Sequence, residues 1–249
     1  MSYLTGRRDV GRITTIYGEH AVGKSTLANN WKRGPVVFID LDGGLDDIGP
    51  TRTTQLTSYD AAMNELRKLY EEDHDFRTVV VDGLDSLEQM ADVAVAAEAQ
   101  VETAADIDWG KGKKRVQKRT FAFLNACKFL RDAKDMDVVW ITHAMTDKVE
   151  NPELGNYDRF APKMVYPESS EKMCEMSNEV LYVYHEVNLK SEDMGFGREK
   201  QRAMAKTRRL IRCQTKPSVI AKNRMNLPAV IDLDADKYFE LREAFVKGE

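Results

Sequence analysis

Residues 18–26 read GEHAVGKST and match the phosphate-loop pattern G-x-x-x-x-G-K-[ST]. In such a loop, backbone N–H groups curl around a chain of phosphates, and glycine allows the positive φ angles and the close approach that this needs. Lys24 is expected to reach the β- and γ-phosphates, and the hydroxyl of Ser25 is expected to bind Mg²⁺. The pattern therefore predicts an ATP and Mg²⁺ site whose loop comprises Gly18, Glu19, His20, Ala21, Val22, Gly23, Lys24, Ser25 and Thr26.

A second part of this site is predicted where the apolar run TVVVD ends in Asp82, because a carboxylate at a strand end can hold Mg²⁺ through water. Hydrolysis also needs a group that activates the attacking water. Many ATPase motors have a glutamate directly after this aspartate, but that position here is Gly83. The segment VVFIDLDGG offers Asp40 and Asp42 instead, and Asp42 is the predicted catalytic acid because it lies just past the strand. The alternative is that both are turn acids.

The elements that would position these residues alternate along the chain. β-Branched and apolar runs predict strands at 12–17, 36–41, 78–82, 137–143, 179–189, 208–214 and 229–233. Helical spacing and capping residues predict helices at 25–33, 58–73 (capped by Ser58), 84–102, 114–134 and 234–247. The alternation up to residue 143 predicts an α/β fold with a mostly parallel twisted sheet and helices on both faces. The later strands lack intervening helices, which predicts antiparallel strands at the C-terminal end.

The length of 249 residues, with 42% hydrophobic and 31% charged residues, is typical of one globular domain, predicted to span 1–249. No apolar run approaches the roughly 20 residues that cross a bilayer, and the N-terminus has no apolar signal core. The three cysteines are scattered and have no metal-ligand spacing. These features predict a cytoplasmic protein with reduced thiols and no membrane partner.

Two gaps between the predicted elements, 103–114 and 144–170, are polar and are predicted to be loops. The second follows directly on the predicted strand 137–143, and open α/β sheets bind ligands at such strand ends. A third polar stretch, 191–199, is predicted to be a hairpin tip. Basic runs at 108–119 and 198–224 interrupt an otherwise acidic chain whose net charge is −4. Such runs are often solvated faces, but two of them indicate a polyanion site.

Three segments carry a resemblance to the RecA family. VVFIDLDGGLDD resembles the segment that holds the family's catalytic acid, which implies that role for Asp42, although most members have the longer glutamate. VVWITHAM resembles the next strand, whose terminal polar residue senses the γ-phosphate, which implies that His143 is the sensor. AKNRMNLPAV is similar to the lysine-asparagine-arginine signature of the RadA/Sms branch and implies that Lys222 and Arg224 act on the ATP of a neighbouring subunit.

DWGKGKK and GNYDRFAPKM resemble phage ATP-binding proteins of the short RecA-core group, known as the Sak-four single-strand annealing family; the whole resemblance spans Arg12 to Val230. It implies an ATPase, stimulated by DNA, that forms a ring or filament of identical chains on single-stranded DNA and promotes annealing or strand exchange. It leaves a single-strand-binding protein open as a partner. The expected DNA contacts in segments 103–119 and 144–170 are Trp109, Lys111, Lys113, Lys114, Arg115, Tyr157 and Arg159.

Three other functions stay open on the sequence. A ring helicase or helicase loader shares every nucleotide residue, and His143 favours it. The short side chain of Asp42 favours an ATP-binding DNA scaffold that hydrolyses very slowly. A small-molecule kinase is also conceivable, but it gives Lys222 and Arg224 no role. Single residues keep structural alternatives too: Trp109 could be a core anchor, and Lys222 with Arg224 could be surface charges.

Overall fold

The computed structural model describes residues 6–153, 155–193 and 199–248, and the side chains of all of these except 188–193 and 199–207. Its sheet follows the order β2-β3-β4-β1-β6-β7-β8, with β5 paired to β4. β1 to β4 and the start of β6 run parallel, whereas the β4–β5, β6–β7 and β7–β8 pairs are antiparallel. The strands are β1 Ile13–Gly18, β2 Val36–Asp40, β3 Thr78–Asp82, β4 Asp137–Val149, β5 Tyr157–Pro162, β6 Glu179–Asp193, β7 Glu199–Arg212 and β8 Val230–Asp232.

Helices cover both faces of the sheet, because successive strand residues point to opposite sides. In β3, Val79 and Val81 pack into the core under α2 to α5, and Val80 packs into the core under α1 and α6. The helices are α1 Lys24–Asn29, α2 Tyr59–Glu71, α3 Leu84–Ala99, α4 Lys111–Lys134, α5 Pro167–Met176 and α6 Ala235–Lys247. The mostly parallel α/β fold with an antiparallel C-terminal end is therefore confirmed. No helix in the described part of the chain is long and apolar enough to cross a membrane.

The prediction that 144–170 is a loop is wrong. β4 continues to Val149, β5 returns antiparallel to it, and α5 begins at Pro167. Residues of the hairpin alternate between half-exposed and exposed, so neither face needs to be apolar. The sequence therefore lacks the apolar alternation that predicts a strand. Proline at the first helical position explains the sharp start of α5.

The other two predicted loops also contain more regular structure than expected. Segment 103–114 consists of two short 3₁₀ turns, Ala104–Asp106 and Asp108–Gly110, followed by α4, which begins three residues earlier than predicted. The predicted hairpin tip at 191–199 is partly strand, since β6 extends to Asp193 and β7 starts at Glu199. Residues 194–198 of that tip lie outside the described residues.

A buried carboxylate ties the amino-end edge of the sheet together. Asp137, at the start of β4 and 1% exposed, accepts hydrogen bonds from the backbone N–H of Arg12 (2.9 Å) and from the indole of Trp31 (2.8 Å). The guanidinium of Arg242 on α6 pairs with the same carboxylate and is itself buried. Each charge is thus compensated, which a buried ion pair requires.

A second buried acid, Glu88 on α3, holds the segment that leads from β5 to α5. One carboxylate oxygen accepts from the backbone N–H groups of Val165 (2.7 Å) and Tyr166 (3.1 Å), and the other accepts from the hydroxyls of Thr120 and Ser169. Burial raises the pKa of Glu88, although the bond from Ser169 and the backbone bonds act to lower it.

We expect Glu88→Ala to lower the free energy of unfolding by about 2–4 kcal/mol, because it leaves two part-buried backbone N–H groups and two buried hydroxyls without this partner and a cavity behind. Glu88→Gln is the matched control, since its oxygen can keep both backbone bonds while its NH₂ donates to the hydroxyls; it should cost about 1 kcal/mol. Urea unfolding of both variants measures the difference. Equal losses for the two would contradict the role assigned to the backbone bonds.

Candidate nucleotide site

The predicted phosphate loop connects β1 to α1 at the carboxyl-end edge of the sheet. Gly23 caps α1 with φ +103°, a conformation that favours glycine. Lys24 is buried, and its ammonium donates to the carbonyl oxygens of Gly18 (3.1 Å) and Glu19 (2.7 Å). Burial lowers the pKa of Lys24, although the carboxylates of Asp82, Asp85 and Asp42 act to raise it. The cation therefore lies within the loop, with three acids around it.

Asp82 and Ser25 meet at the same edge, as a shared Mg²⁺ site requires. The Ser25 hydroxyl lies close enough to the Asp82 carboxylate to act on its pKa. Burial raises the pKa of Asp82 to about 6, an effect that the Ser25 hydroxyl and the charge of Lys24 oppose and the charge of Asp42 strengthens. A hydroxyl and a carboxylate are the hard oxygen donors that Mg²⁺ prefers. These two residues therefore fit the predicted ion.

Asp42 lies directly over Gly83, the residue that follows Asp82. A Cβ atom placed on Gly83 would lie only 2.1 Å from Oδ1 of Asp42, and Gly83 has φ +94°. The hydroxyl of Ser86 also donates to Asp42. The side chain missing from position 83 thus leaves the space that the Asp42 carboxylate fills.

Asp40, the other acid considered on this segment, has a structural place. It is buried, and its carboxylate accepts a hydrogen bond from the backbone N–H of Gly43 at 2.7 Å. Arg52 lies 3.9 Å from its other oxygen. Asp40 is in register with Asp82 across β2 and β3, but its carboxylate is engaged with Gly43, whereas the Asp42 carboxylate lies over Gly83 at the end of β3.

A family-wide sequence model for AAA domains matches residues 11–225, which is most of the chain. The chain belongs to the AAA_24 family. The crystal structure of the RadB recombinase is similar to this AAA domain, with a TM-score of 0.47 and 14% identity over 89% of this chain and 86% of that one. At 14% identity the two chains share too little sequence for a role to be carried from one to the other. No curated protein matches this sequence.

His143, the predicted sensor of the AAA domain, is part of a charged cluster that the sequence did not predict. Its Nδ1 lies 3.1 Å from Oδ2 of Asp85, and the ammonium of Lys163 lies 3.3 Å from the same oxygen. The imidazole of His20, in the phosphate loop, packs against that of His143 in a tilted arrangement, with 4.1 Å between ring centroids. The cluster thus connects the loop, the end of the parallel part of β4 and the segment after β5.

Asp85 is the centre of this cluster. Burial acts to raise its pKa, but the hydrogen bond and charge of His143 and the charge of Lys163 outweigh burial, so the pKa is lowered. Donor atoms of Asp42, Asp85 and His143 lie within 4.8 Å of one another, a spacing that could suit a metal ion. Lys163 already supplies a positive charge to Asp85 there. The sequence feature that could have identified Asp85 is the segment VDGLD, which places it three residues after Asp82, in the first turn of α3.

Lys222 and Arg224 of this AAA domain do not lie at their own phosphate loop. The backbone of Lys222 pairs with Val180, which is in register with Thr15, three residues before the loop begins. The Lys222 ammonium donates to the carbonyl oxygens of Cys174 (2.9 Å) and Glu175 (3.1 Å) at the end of α5. Arg224 is exposed.

The predicted DNA contacts divide into two groups. Trp109 is 90% exposed, so the alternative that it anchors the core is wrong; Lys111 and Lys114 beside it are exposed as well. The others are half-buried or paired with acids: Tyr157 is half-buried, and ion pairs join Lys113 to Glu168, Arg115 to Glu98 and Arg159 to Asp147. The first group forms one surface at the start of α4.

The close approach of Asp42 to Gly83 can be tested with Gly83→Ala. The added methyl would displace the Asp42 carboxylate, so we expect the ATP turnover number to fall about 10- to 100-fold, as misplacement of a reacting group by about 1 Å can cause. A steady-state ATPase assay measures it.

The matched control is Gly49→Ala. Gly49 also has a positive φ, +63°, but a Cβ there would meet no atom within 4 Å. Both variants should lose about 1–2 kcal/mol of stability through backbone strain, and Gly49→Ala should keep its turnover. Unchanged turnover in Gly83→Ala would refute the importance of this contact.

Proposed function

We propose that the chain is an ATP-dependent, single-stranded-DNA-binding recombination protein that hydrolyses ATP with Mg²⁺ and promotes annealing or strand exchange. The observation that supports hydrolysis best is the arrangement at Gly83, where the Asp42 carboxylate lies beside the Ser25–Asp82 pair. Acid, cation ligands and phosphate loop then meet at one sheet edge, which is where a triphosphate and its attacking water would have to meet.

Each residue of the loop edge has a defined task in this proposal. The backbone of residues 18–26 binds the phosphates, and Lys24 exchanges its bonds with Gly18 and Glu19 for phosphate oxygens. Ser25 and Asp82 hold Mg²⁺, which when bound neutralises charge on the β- and γ-phosphates. Asp42 orients the attacking water and accepts its proton.

Asp42 is one methylene shorter than the glutamate common at this position, yet its surroundings favour a catalytic role. The glycine at 83 lets the carboxylate approach the strand that carries Asp82, which a larger residue would prevent. Ser86 donates to the carboxylate and fixes its orientation. A slow ATP-binding scaffold is the rival here: ATP bound without turnover, with and without DNA, would favour the scaffold.

The proposal gives His143 the task of coupling nucleotide to DNA. His143 lies on β4, and the same strand continues without interruption into the β4–β5 hairpin, part of the expected DNA segment. Its contact with His20 would report changes of the phosphate loop to that strand. Histidine at this position also suits a translocating motor, and directional unwinding of a forked duplex would support that rival over annealing.

Trp109, Lys111 and Lys114 are the best-suited DNA contacts, because an exposed indole can stack on a base while nearby exposed amines bind phosphates. Lys113, Arg115 and Arg159 would first have to leave their carboxylate partners. We therefore assign them a smaller share of the DNA affinity.

We expect Trp109→Ala to weaken single-stranded DNA binding about tenfold, in line with the loss of one stacked base. Fluorescence anisotropy with a labelled oligonucleotide measures the affinity, and ATPase stimulation by DNA should shift to higher DNA concentrations in parallel. Phe129→Ala is the control, since Phe129 is another exposed aromatic residue, 55% exposed, but lies near the far end of α4. The same loss in both variants, or none in Trp109→Ala, would count against this surface.

Lys222 and Arg224 are proposed to act on the ATP of a neighbouring copy of the chain, which implies a homo-oligomer with ATP at its interfaces. The support is that Lys222 is bound to the end of α5, away from its own loop, and Arg224 is exposed. In the oligomer, Lys222 would exchange the two carbonyl oxygens of α5 for phosphate oxygens of its neighbour.

Mixing Lys222→Ala with Asp42→Asn chains tests this shared site. Each variant alone should lose most of its ATP turnover, and a mixed oligomer should recover part of it, because some interfaces then combine an intact Asp42 with an intact Lys222. A chain that carries both substitutions, mixed with Lys222→Ala, is the control and should recover nothing. No recovery in a stably mixed oligomer would show that the site is complete within one chain.

A further inference from the structure

A pocket of about 180 Å³ opens next to the phosphate loop, on the side away from Asp42, Asp82 and Asp85. Its walls come from Gly23 and Thr26 of the loop, Asn30 after α1, Arg209 of β7 and Leu233 just after β8. The acids Asp42, Asp82 and Asp85 follow β2 and β3, which lie on the other side of β1 in the sheet order. The loop therefore has the hydrolysis groups on one side and this pocket on the other.

Arg209 overhangs the loop because of the antiparallel pairing of β6 and β7. Gly18, the last residue of β1, is in register with Val183 of β6, and Arg209 is in register with His185, two residues further toward the loop edge. A Cβ on Gly23 would lie 2.7 Å from Nη1 of Arg209 and 3.0 Å from the side chain of Leu233. The guanidinium and the apolar side chain of Leu233 thus both lie against the loop at Gly23.

The two adjacent arginines of β7 differ in their partners. Arg208 forms an ion pair with Asp232 at 2.6 Å. The guanidinium of Arg209 makes no ion pair and no hydrogen bond with any side chain or backbone group that the structure describes. An exposed arginine held over an anion-binding loop, with its charge uncompensated, is available to a ligand.

We propose that this pocket receives the nucleoside of the bound nucleotide and that the plane of the Arg209 guanidinium packs against the base. The proposal rests on the ATP site proposed above. If the γ-phosphate points to Asp42 and Asp82, the nucleoside end of the molecule must lie on the opposite side of the loop, where the pocket is. A planar guanidinium stacks well on an aromatic ring, which an ammonium group does not.

The carboxylates at this end of the pocket are already engaged. Asp234 caps α6 by accepting from the backbone N–H of Asp236 (2.8 Å), and Asp236 pairs with Lys32 (2.8 Å). The Asn30 amide donates to Thr26 at 2.8 Å, so its carbonyl oxygen stays available as an acceptor for a polar group of the nucleoside. Arg209 is the pocket's main cationic contact, and in this proposal it is a specificity-determining residue rather than part of the hydrolysis machinery.

Calorimetric titration with Mg²⁺-ADP and with inorganic tripolyphosphate, which has no nucleoside, separates the two ends of the site. We expect Arg209→Ala and Arg209→Lys each to weaken ADP binding about tenfold, at the upper range of a single stacking contact, and to leave tripolyphosphate binding within about twofold. Arg208→Ala is the matched control and should leave both unchanged. In steady state, the Arg209 variants should raise the KM for ATP and keep kcat.

Three results would overturn the proposal: ADP affinity unchanged in Arg209→Ala, wild-type ADP affinity in Arg209→Lys, or an equal loss of tripolyphosphate affinity, which would make Arg209 a phosphate ligand. Circular dichroism of each variant checks that an exposed residue has been replaced without unfolding the chain. Failure of the ATP site itself has a different signature, because the wild-type chain would then bind neither ADP nor tripolyphosphate.

Discussion

The parallel direction of β2, β3, β4 and β1 is the constraint on which the loop edge depends. Strands that run the same way end at the same edge, so residues far apart in sequence meet there without any local signal between them. Asp42 follows β2, Asp82 ends β3 and His143 lies where the parallel pairing of β4 ends, and the phosphate loop follows β1. Reversing any of these strands would move its functional residue to the opposite edge, where Asp137 instead ties the sheet to Trp31, just after α1, and to α6.

Much of the loop edge could be predicted from the sequence, because short motifs specify it. The phosphate loop, the strand that ends in Asp82 and the positions of most strands and helices follow from local patterns, since period and turn chemistry are local properties. The β4–β5 hairpin was missed for the same reason: its strands alternate half-exposed and exposed residues, so no apolar period marks them.

Contacts between distant residues account for what the sequence could not supply. Asp85, Lys163 and His20 surround His143 only after three separate elements have come together, and Arg209 reaches Gly23 through the register of β6 and β7. Gly83 is instructive, since the sequence showed only that a glutamate was missing. In the fold, the Asp42 carboxylate occupies the space that a side chain at position 83 would need, so a glutamate at 83 and the observed position of Asp42 are incompatible.

β4 is hydrogen-bonded to parallel neighbours as far as His143 and to β5 from Ala144 onward. A strand paired in this way is stiff along its length, because bending it breaks the ladder of bonds. His143 is the last residue of β4 that pairs with a parallel neighbour, and the six strand residues beyond it extend about 20 Å at roughly 3.3 Å per residue. If β4 tilts by only a few degrees at His143, the far end of the hairpin therefore moves by more than an ångström. The length of the strand sets the size of this displacement.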